Sequence, residues 1–261
     1  MIHMGMPTLI EAPSPKASID LCHRLGLQFI ELNMNLPQFQ LDKLDVDELK
    51  VLSKGDHPYF TIHLDENLNV ADFNTAVAQA YLNTVLDTIQ LAKHLQTPVL
   101  NMHLSKGVYF TLPDRKIFLF QEYKERYLDR ILFFRDACDH AVGNDPLLIC
   151  IENTNGFTGF QKEAMEALLE SPIFALTYDT GHDHCIGGTD GPFIRAHASN
   201  LRHMHLHDAS GHRDHLPLGT GDLEIPRYLS LAEDHRCRVV LETKTIDGLE
   251  RSVDYLRQYH K

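Results

Sequence analysis

Leu147-Leu148-Ile149-Cys150-Ile151-Glu152-Asn153-Thr154 sets an unbroken apolar run against a carboxylate, an amide and a hydroxyl. Such a run, with no polar alternation, suits a strand covered on both faces, as in a parallel sheet flanked by helices. Short apolar or β-rich runs of the same kind recur at Ile2–Gly5, Gln28–Leu32, Tyr59–His63, Pro98–His103, Phe174–Asp179, Leu201–His205 and Val239–Glu242. Lys16–Leu25, Asp47–Ser53, Thr75–Leu95, Lys116–Val142, Phe160–Leu169, Ile225–Asp234 and Leu249–Tyr259 have helical character, and the pattern is weakest after Asp179. In Thr75–Leu95, the residues Val77, Ala80, Tyr81, Thr84, Val85, Thr88, Leu91, Ala92 and Leu95 follow the three-to-four spacing of one buried helix face. Gly26 and Gly143 stand just beyond helical stretches, where a positive φ is often required.

Repeated strand–helix units of this kind predict an α/β fold, a single (β/α)8 TIM barrel closed on itself rather than an open sheet. The 261 residues match the length of about 250 usual for that barrel, and no linker or low-complexity tract divides them, so residues 1–261 read as one domain. Hydrophobic residues at 43% and charged residues at 23% exclude wholesale disorder. No apolar stretch reaches the roughly 18–20 residues of a membrane span, and Met1-Ile2-His3-Met4-Gly5 lacks the basic flank and apolar core of a secretion signal. A soluble, cytoplasmic protein with no membrane partner is expected. The five cysteines (Cys22, Cys138, Cys150, Cys185, Cys237) form no CxxC pair, so buried reduced thiols are expected rather than disulfides or a zinc knuckle. A net charge of −12 argues against a general polyanion binder. Histidine is abundant, with 17 copies, so its placement matters.

His63, His103, Glu152, Asp179, His205 and Glu242 each end an apolar run. In a βα barrel the strand ends share one rim, where active sites are built. A charge at the end of a buried strand costs several kcal/mol unless paired or metal-bound, and these side chains are the nitrogen and oxygen donors of divalent metal sites. Taken singly, each position reads better as a satisfied strand-end polar group; six strand ends carrying only His, Asp or Glu are hard to assign to chance. Tyr178-Asp179-Thr180-Gly181-His182 delivers an aspartate and a histidine from one turn, while His184 reads as surface. Along His203-Met204-His205-Leu206-His207-Asp208, residues two apart share a face, and the apolar–polar transition favours His205 as a ligand, with His207 and Asp208 on the loop. The loop His212–Gly221 returns His215, and Arg213 or Asp214, over the site; its plain alternative is a solvated loop. Glu242 follows a buried strand, with Lys244 placed to neutralise it in a structural pair.

These motifs resemble the xylose isomerase-like barrel superfamily, which holds sugar epimerases and isomerases and also endonuclease IV-type repair enzymes. The resemblance spans nearly the whole chain and rests on Ile151-Glu152-Asn153, Asp179-Thr180-Gly181-His182, His205-Leu206-His207-Asp208, His215-Leu216-Pro217-Leu218-Gly219-Thr220-Gly221 and Leu241-Glu242-Thr243. It implies one divalent metal (manganese, cobalt or zinc) on Glu152, Asp179, His205 and Glu242, and no organic cofactor. Glu152 and Glu242 would also be the catalytic residues flanking the substrate carbons. His182, Arg213, His63, His103 and Asn153 would face a sugar or polyol substrate. In the endonuclease branch the resemblance adds His63, His103, His182 and His215 as further metal ligands, with an aspartate two residues before His215. This chain has Arg213 there and Asp214 directly beside the histidine, a departure from a full three-zinc site unless Asp214 substitutes through a shifted loop.

The leading expectation is a metal-dependent sugar isomerase or epimerase working by proton transfer through a metal-stabilised enediolate. The alternative in the same fold is phosphodiester hydrolysis at abasic DNA sites. Even three bound zinc ions would leave the chain near −6, and Lys106, Arg195, Arg202 and Arg213 form no basic run on the rim, so a nucleic-acid partner is not favoured. A non-catalytic metal-binding barrel is the third reading. The loops Asp65–Ala71 and Gly107–Asp114 are expected to shape specificity. Neither the identity of the sugar nor the oligomeric state follows from the residues.

Overall fold

The computed structural model of the protein describes residues 2–53, 55 and 58–259, and in it the eight apolar runs close into one parallel barrel. Its first half comprises β1 (His3–Pro7), α1 (Pro15–Leu25), β2 (Phe29–Asn33), α2 (Val46–Leu52), β3 (Tyr59–His63), α3 (Thr75–Leu95) and β4 (Val99–His103). A hairpin of β5 (Tyr109–Thr111) and β6 (Lys116–Phe118) follows, then α4 (Leu119–Glu122), α5 (Lys124–Val142), β7 (Leu148–Glu152), α6 (Gly159–Leu169) and β8 (Phe174–Asp179). The chain continues through α7 (Thr180–Cys185), α8 (Gly191–Ala196), β9 (Leu201–Leu206), the hairpin β10 (Asp208–Ser210) and β11 (Arg213–Leu216), α9 (Ile225–Asp234), β12 (Arg238–Leu241) and α10 (Ile246–Tyr259). The barrel order is β1-β12-β9-β8-β7-β4-β3-β2, every pairing parallel. Among the described residues, no helix is long and apolar enough to cross a membrane.

Local chemistry sets the element ends. Ser14 caps α1 by accepting from the Ala17 N–H at 3.2 Å, Pro15 begins the helix, and Gly26 closes it in the left-handed region at φ 74°. Thr158 and Gln161 form a capping box on α6, and the Gln161 amide donates to the Leu104 carbonyl at 2.6 Å, tying that helix to the loop after β4. In α3 the buried face runs through Ala78, Leu82, Val85, Ile89 and Ala92, and Val77 is exposed. The stripe begun at Val77 therefore lies slightly off the buried one, because apolar residues on this helix cover more than one face. Four cysteines are buried and Cys185 is half-buried; all five are free.

Two stretches differ from the sequence-based expectation. Lys116–Phe118 is a strand, not the start of a helix: Lys116-Ile117-Phe118 pairs antiparallel with Tyr109-Phe110-Thr111 around a turn through Pro113. β-Branched and aromatic side chains favour that pairing over helix, which begins only at Leu119. The loop after β9 is likewise a hairpin, with Asp208 opposite Leu216 and Ser210 opposite Arg213. The weakly patterned segment after Asp179 is two short helices, α7 and α8.

Candidate metal centre

Glu152, Asp179, His205 and Glu242 come from β7, β8, β9 and the residue after β12, at the C-terminal mouth of the barrel. One ligand atom from each lies within 4.8 Å of the other three. Nδ1 of His205 is the hub: it is 3.3 Å from Glu152, 2.9 Å from Glu242 and 3.9 Å from Asp179. Nδ1 of His205 and Oε2 of Glu242 are buried and, despite their proximity, make no hydrogen bond with each other or with any other described residue. Three carboxylates and an imidazole drawn this close in a buried space repel or orphan one another unless a cation sits between them. That donor set fits a divalent metal.

Each member is held from outside the cluster. One Glu152 oxygen accepts from the Asn101 amide, whose own oxygen accepts from Thr177 at 2.5 Å. The same Glu152 oxygen faces Nε2 of His63 at 3.3 Å and of His103 at 3.4 Å. His63 Nδ1 is 2.7 Å from the Leu64 carbonyl, the donor side of the ring, which leaves Nε2 aimed inward. Asp179 caps α7 by accepting from the His182 N–H at 2.7 Å, so the turn that places the aspartate also places the histidine. His207 lies in the connection between β9 and β10, as expected, but is buried there, with Nε2 at 3.0 Å from Asp179 and Nδ1 accepting from the His215 N–H at 2.8 Å. Both of its nitrogens are engaged, so it orients Asp179 rather than joining a metal site with His182 and His215. Gly181 lies against that ring, and a Cβ there would collide with it. The Lys244 ammonium lies 2.8 Å from Glu242, the pair expected from the sequence, and Nε2 of His215 lies 3.5 Å from the same oxygen.

Charge and burial pull the titrations in opposite directions. Burial raises the Glu152 and Glu242 carboxyls, but the charge of His205 outweighs it and holds both well below the usual range. Burial lowers His205 while Glu152, Glu242 and Glu31 raise it well above the ordinary histidine value. His63 behaves alike: burial lowers it, and its contact with Glu152 lifts it to about 9.

The remaining predicted residues divide. His182 is brought in, with Nδ1 3.4 Å from Asp179 and 3.7 Å from Glu152. Asp214 reaches His182 at 3.8 Å and His215 at 3.0 Å, helped by the left-handed backbone of His215 (φ 53°). Arg213 is not brought in: its side chain is exposed on β11 and outside the cavity over the cluster. Asn153 is also displaced from its expected substrate role. It is fully buried, its oxygen accepting from the Asp179 N–H at 2.8 Å and its amide donating to the Asp179 carbonyl at 2.9 Å. Both ends serve the backbone of β8. His184 is half-buried, 3.8 Å from Asp222. Arg202 is the second residue of β9, near the barrel end opposite the site, so it is not a rim cation.

A cavity of about 490 Å³ opens above the cluster, lined by His103, His182 and Asp214 together with Glu66, Asn67, Ser105, Lys106, Thr154 and Asn155. Leu104, Cys185 and Ile186 complete a mixed polar and apolar lining, and its size and polar groups suit a small hydroxylated molecule. Sequence reasoning misses Asn101, Thr177 and Glu31, whereas His203 turns inward as its two-residue spacing from His205 implies. The signal for those three is a polar residue inside a largely apolar strand, two positions before its end.

A closed parallel barrel with a carboxylate–imidazole cluster at the C-terminal mouth defines a TIM barrel whose rim residues could hold a metal ion. The chain belongs to the xylose isomerase-like TIM barrel family, whose pattern matches residues 19–259. It resembles the structure of a D-tagatose 3-epimerase-like protein (TM-score 0.79, 20% identity, covering 99% of this chain and 97% of that one). It is also similar to an L-ribulose 3-epimerase (TM-score 0.75, 14% identity, 99% and 94% covered). A third similar structure is a Thermus thermophilus protein soaked with ZnCl2 (TM-score 0.73, 19% identity, 98% and 97% covered).

Proposed function

We propose that the protein, acting as the single barrel of residues 1–261, is a divalent-metal-dependent sugar isomerase or epimerase. The observation that carries this reading is the convergence of Glu152, Asp179, His205 and Glu242 on one point beneath a small cavity of mixed lining. Those four residues would hold the ion. When bound, it would supply Lewis-acid stabilisation of charge on adjacent substrate oxygens.

The chain's own groups do the rest. Glu152 and Glu242 are the proton-transfer carboxylates: one removes the proton α to a carbonyl and the other returns it on the opposite face. Glu152 offers its cluster-facing oxygen, since Asn101 holds the other. Glu242 keeps one oxygen on Lys244 and has the other free of hydrogen bonds. His182, backed by Asp214, orients hydroxyls at the cavity floor. Manganese, cobalt and zinc all suit this donor set.

A second reading is metal-assisted phosphodiester hydrolysis. His63 and His103 beside Glu152, and Asp214 between His182 and His215, form donor groups that further ions would use. The net charge of −12 weighs against a duplex substrate. The test sets a ketose panel in D2O against abasic duplex DNA, each with and without chelator. Deuterium incorporation into a ketose, abolished by chelation and by Glu152→Gln, supports the sugar reading. Strand cleavage without exchange overturns it.

A further inference from the structure

Beneath the candidate metal centre the barrel interior is polar where such barrels are usually filled by branched aliphatic side chains. Glu31, on β2, is 2% exposed and sits at the middle of this tier. One of its oxygens is 2.8 Å from Nε2 of His205, and the other is 2.8 Å from Nε2 of His203. The Thr61 hydroxyl donates to the second oxygen at 2.9 Å. A carboxylate only accepts, so both facing ring nitrogens carry hydrogens. For His205 that fixes the ring: Nε2–H points down to Glu31, and Nδ1 is the nitrogen that faces Glu152, Asp179 and Glu242 and would ligate a cation on giving up its hydrogen.

We propose that Glu31 is a positioning residue that holds His205 from beneath in the one orientation and tautomer that presents Nδ1 to a cation. The inference rests on the metal reading above and adds the residue that makes His205 a ligand. A metal ion between Glu31, His203 and His205 is the competing use of the same atoms. The carboxylate already has three hydrogen-bond donors, at 2.8, 2.8 and 2.9 Å, and is satisfied without an ion. Glutamine at this position would keep the shape but not the role. Its oxygen would accept from one ring while its NH2 faced the N–H of the other, turning one histidine or forcing its proton to Nδ1.

The test is cobalt(II) binding by chelator competition, read by the visible absorption of the bound ion, for the wild-type chain, Glu31→Gln and Glu152→Gln. Glu31→Gln is expected to weaken cobalt about 10- to 100-fold and to alter the absorption envelope, as loss of a partner behind a ligating histidine does. A Glu31→Gln protein that binds as tightly as wild type, while Glu152→Gln does not bind, overturns the inference and leaves the metal reading standing. A wild-type chain that takes up no cobalt overturns both. Imidazole 15N resonances of the zinc-loaded wild-type protein decide the matter without any variant, with His205 assigned by its absence in His205→Gln. Zinc on Nδ1 with a slowly exchanging Nε2–H supports the inference, and zinc on Nε2 contradicts it.

Discussion

The two glutamates of the cluster are held in different ways. Glu152 ends β7 and is gripped by groups that are themselves on strands: Asn101 and His103 on β4, and His63 on β3. Glu242 lies just past β12, and its partners Lys244 and His215 come from loop and hairpin. The Glu152 side chain is 1% exposed and that of Glu242 is 11% exposed, whereas Lys244 is 59% exposed. Strand-borne partners are fixed by barrel closure, so one wall of the site is rigid by construction. The other wall depends on loop conformation and is where related barrels are free to diverge.

If that contrast holds, disturbing the Glu152 wall should cost far more than disturbing the Glu242 wall. The largest effect is expected for Glu152→Gln, which removes a proton-transfer group and a cation ligand at once. Solvent deuterium exchange into the ketose should fall by about 10²- to 10⁴-fold. Retention of exchange would break the comparison outright.

Second is the pH dependence of the metal-free protein. His63 has its folded value raised to about 9 by Glu152, above the unfolded value near 6.5. Its contribution is fully present below pH 6.5 and is lost as pH rises toward 9, on the order of 3 kcal/mol. Glu152 and Glu242 are depressed, so theirs is present above the ordinary carboxyl range and is lost on acidification. Urea melts of chelated protein should therefore weaken between pH 6.5 and 9, and His63→Gln should flatten that fall. Excess cation should reverse the trend, because deprotonated ligands bind it better.

Third, Asn101→Ala leaves a Glu152 oxygen without its amide donor inside the barrel and should lower stability by about 1–3 kcal/mol in the same melts. The smallest effect belongs to the Glu242 wall. Lys244→Met removes an exposed partner and should change stability by less than about 1 kcal/mol. It should also move the acid limb of exchange activity to higher pH, since Lys244 helps to hold the Glu242 carboxyl low. A Lys244 variant more damaging to stability than Asn101→Ala would invert the contrast.

The same division between strand and loop separates what is legible in the amino-acid sequence from what is not. The barrel and the cluster are readable because Glu152, Asp179, His205 and Glu242 stand at abrupt apolar-to-polar steps, and a strand carries its end residue wherever the strand goes. Arg213 and Asn153 are misplaced by sequence reasoning because their orientation is decided by contacts remote in the chain. A hairpin at Asp208–Leu216 turns Arg213 outward, and the β8 backbone consumes both ends of the Asn153 amide. Glu31 and Asn101 escape notice for a related reason. A polar residue within a strand looks like a flaw in the apolar run until closure shows His205 above one and Glu152 above the other. Lys116–Phe118 reads as helix because the helical pattern of α5 runs on without a break marker, although its β-prone side chains pair with Tyr109–Thr111.

The most direct measurement is anomalous diffraction from crystals soaked in cobalt or manganese. A metal peak with oxygen and nitrogen ligands at about 2.0–2.2 Å from Glu152, Asp179, His205 Nδ1 and Glu242 is the expected result. Full soaking that leaves those four side chains metal-free, or puts the ion only on other residues, would contradict it.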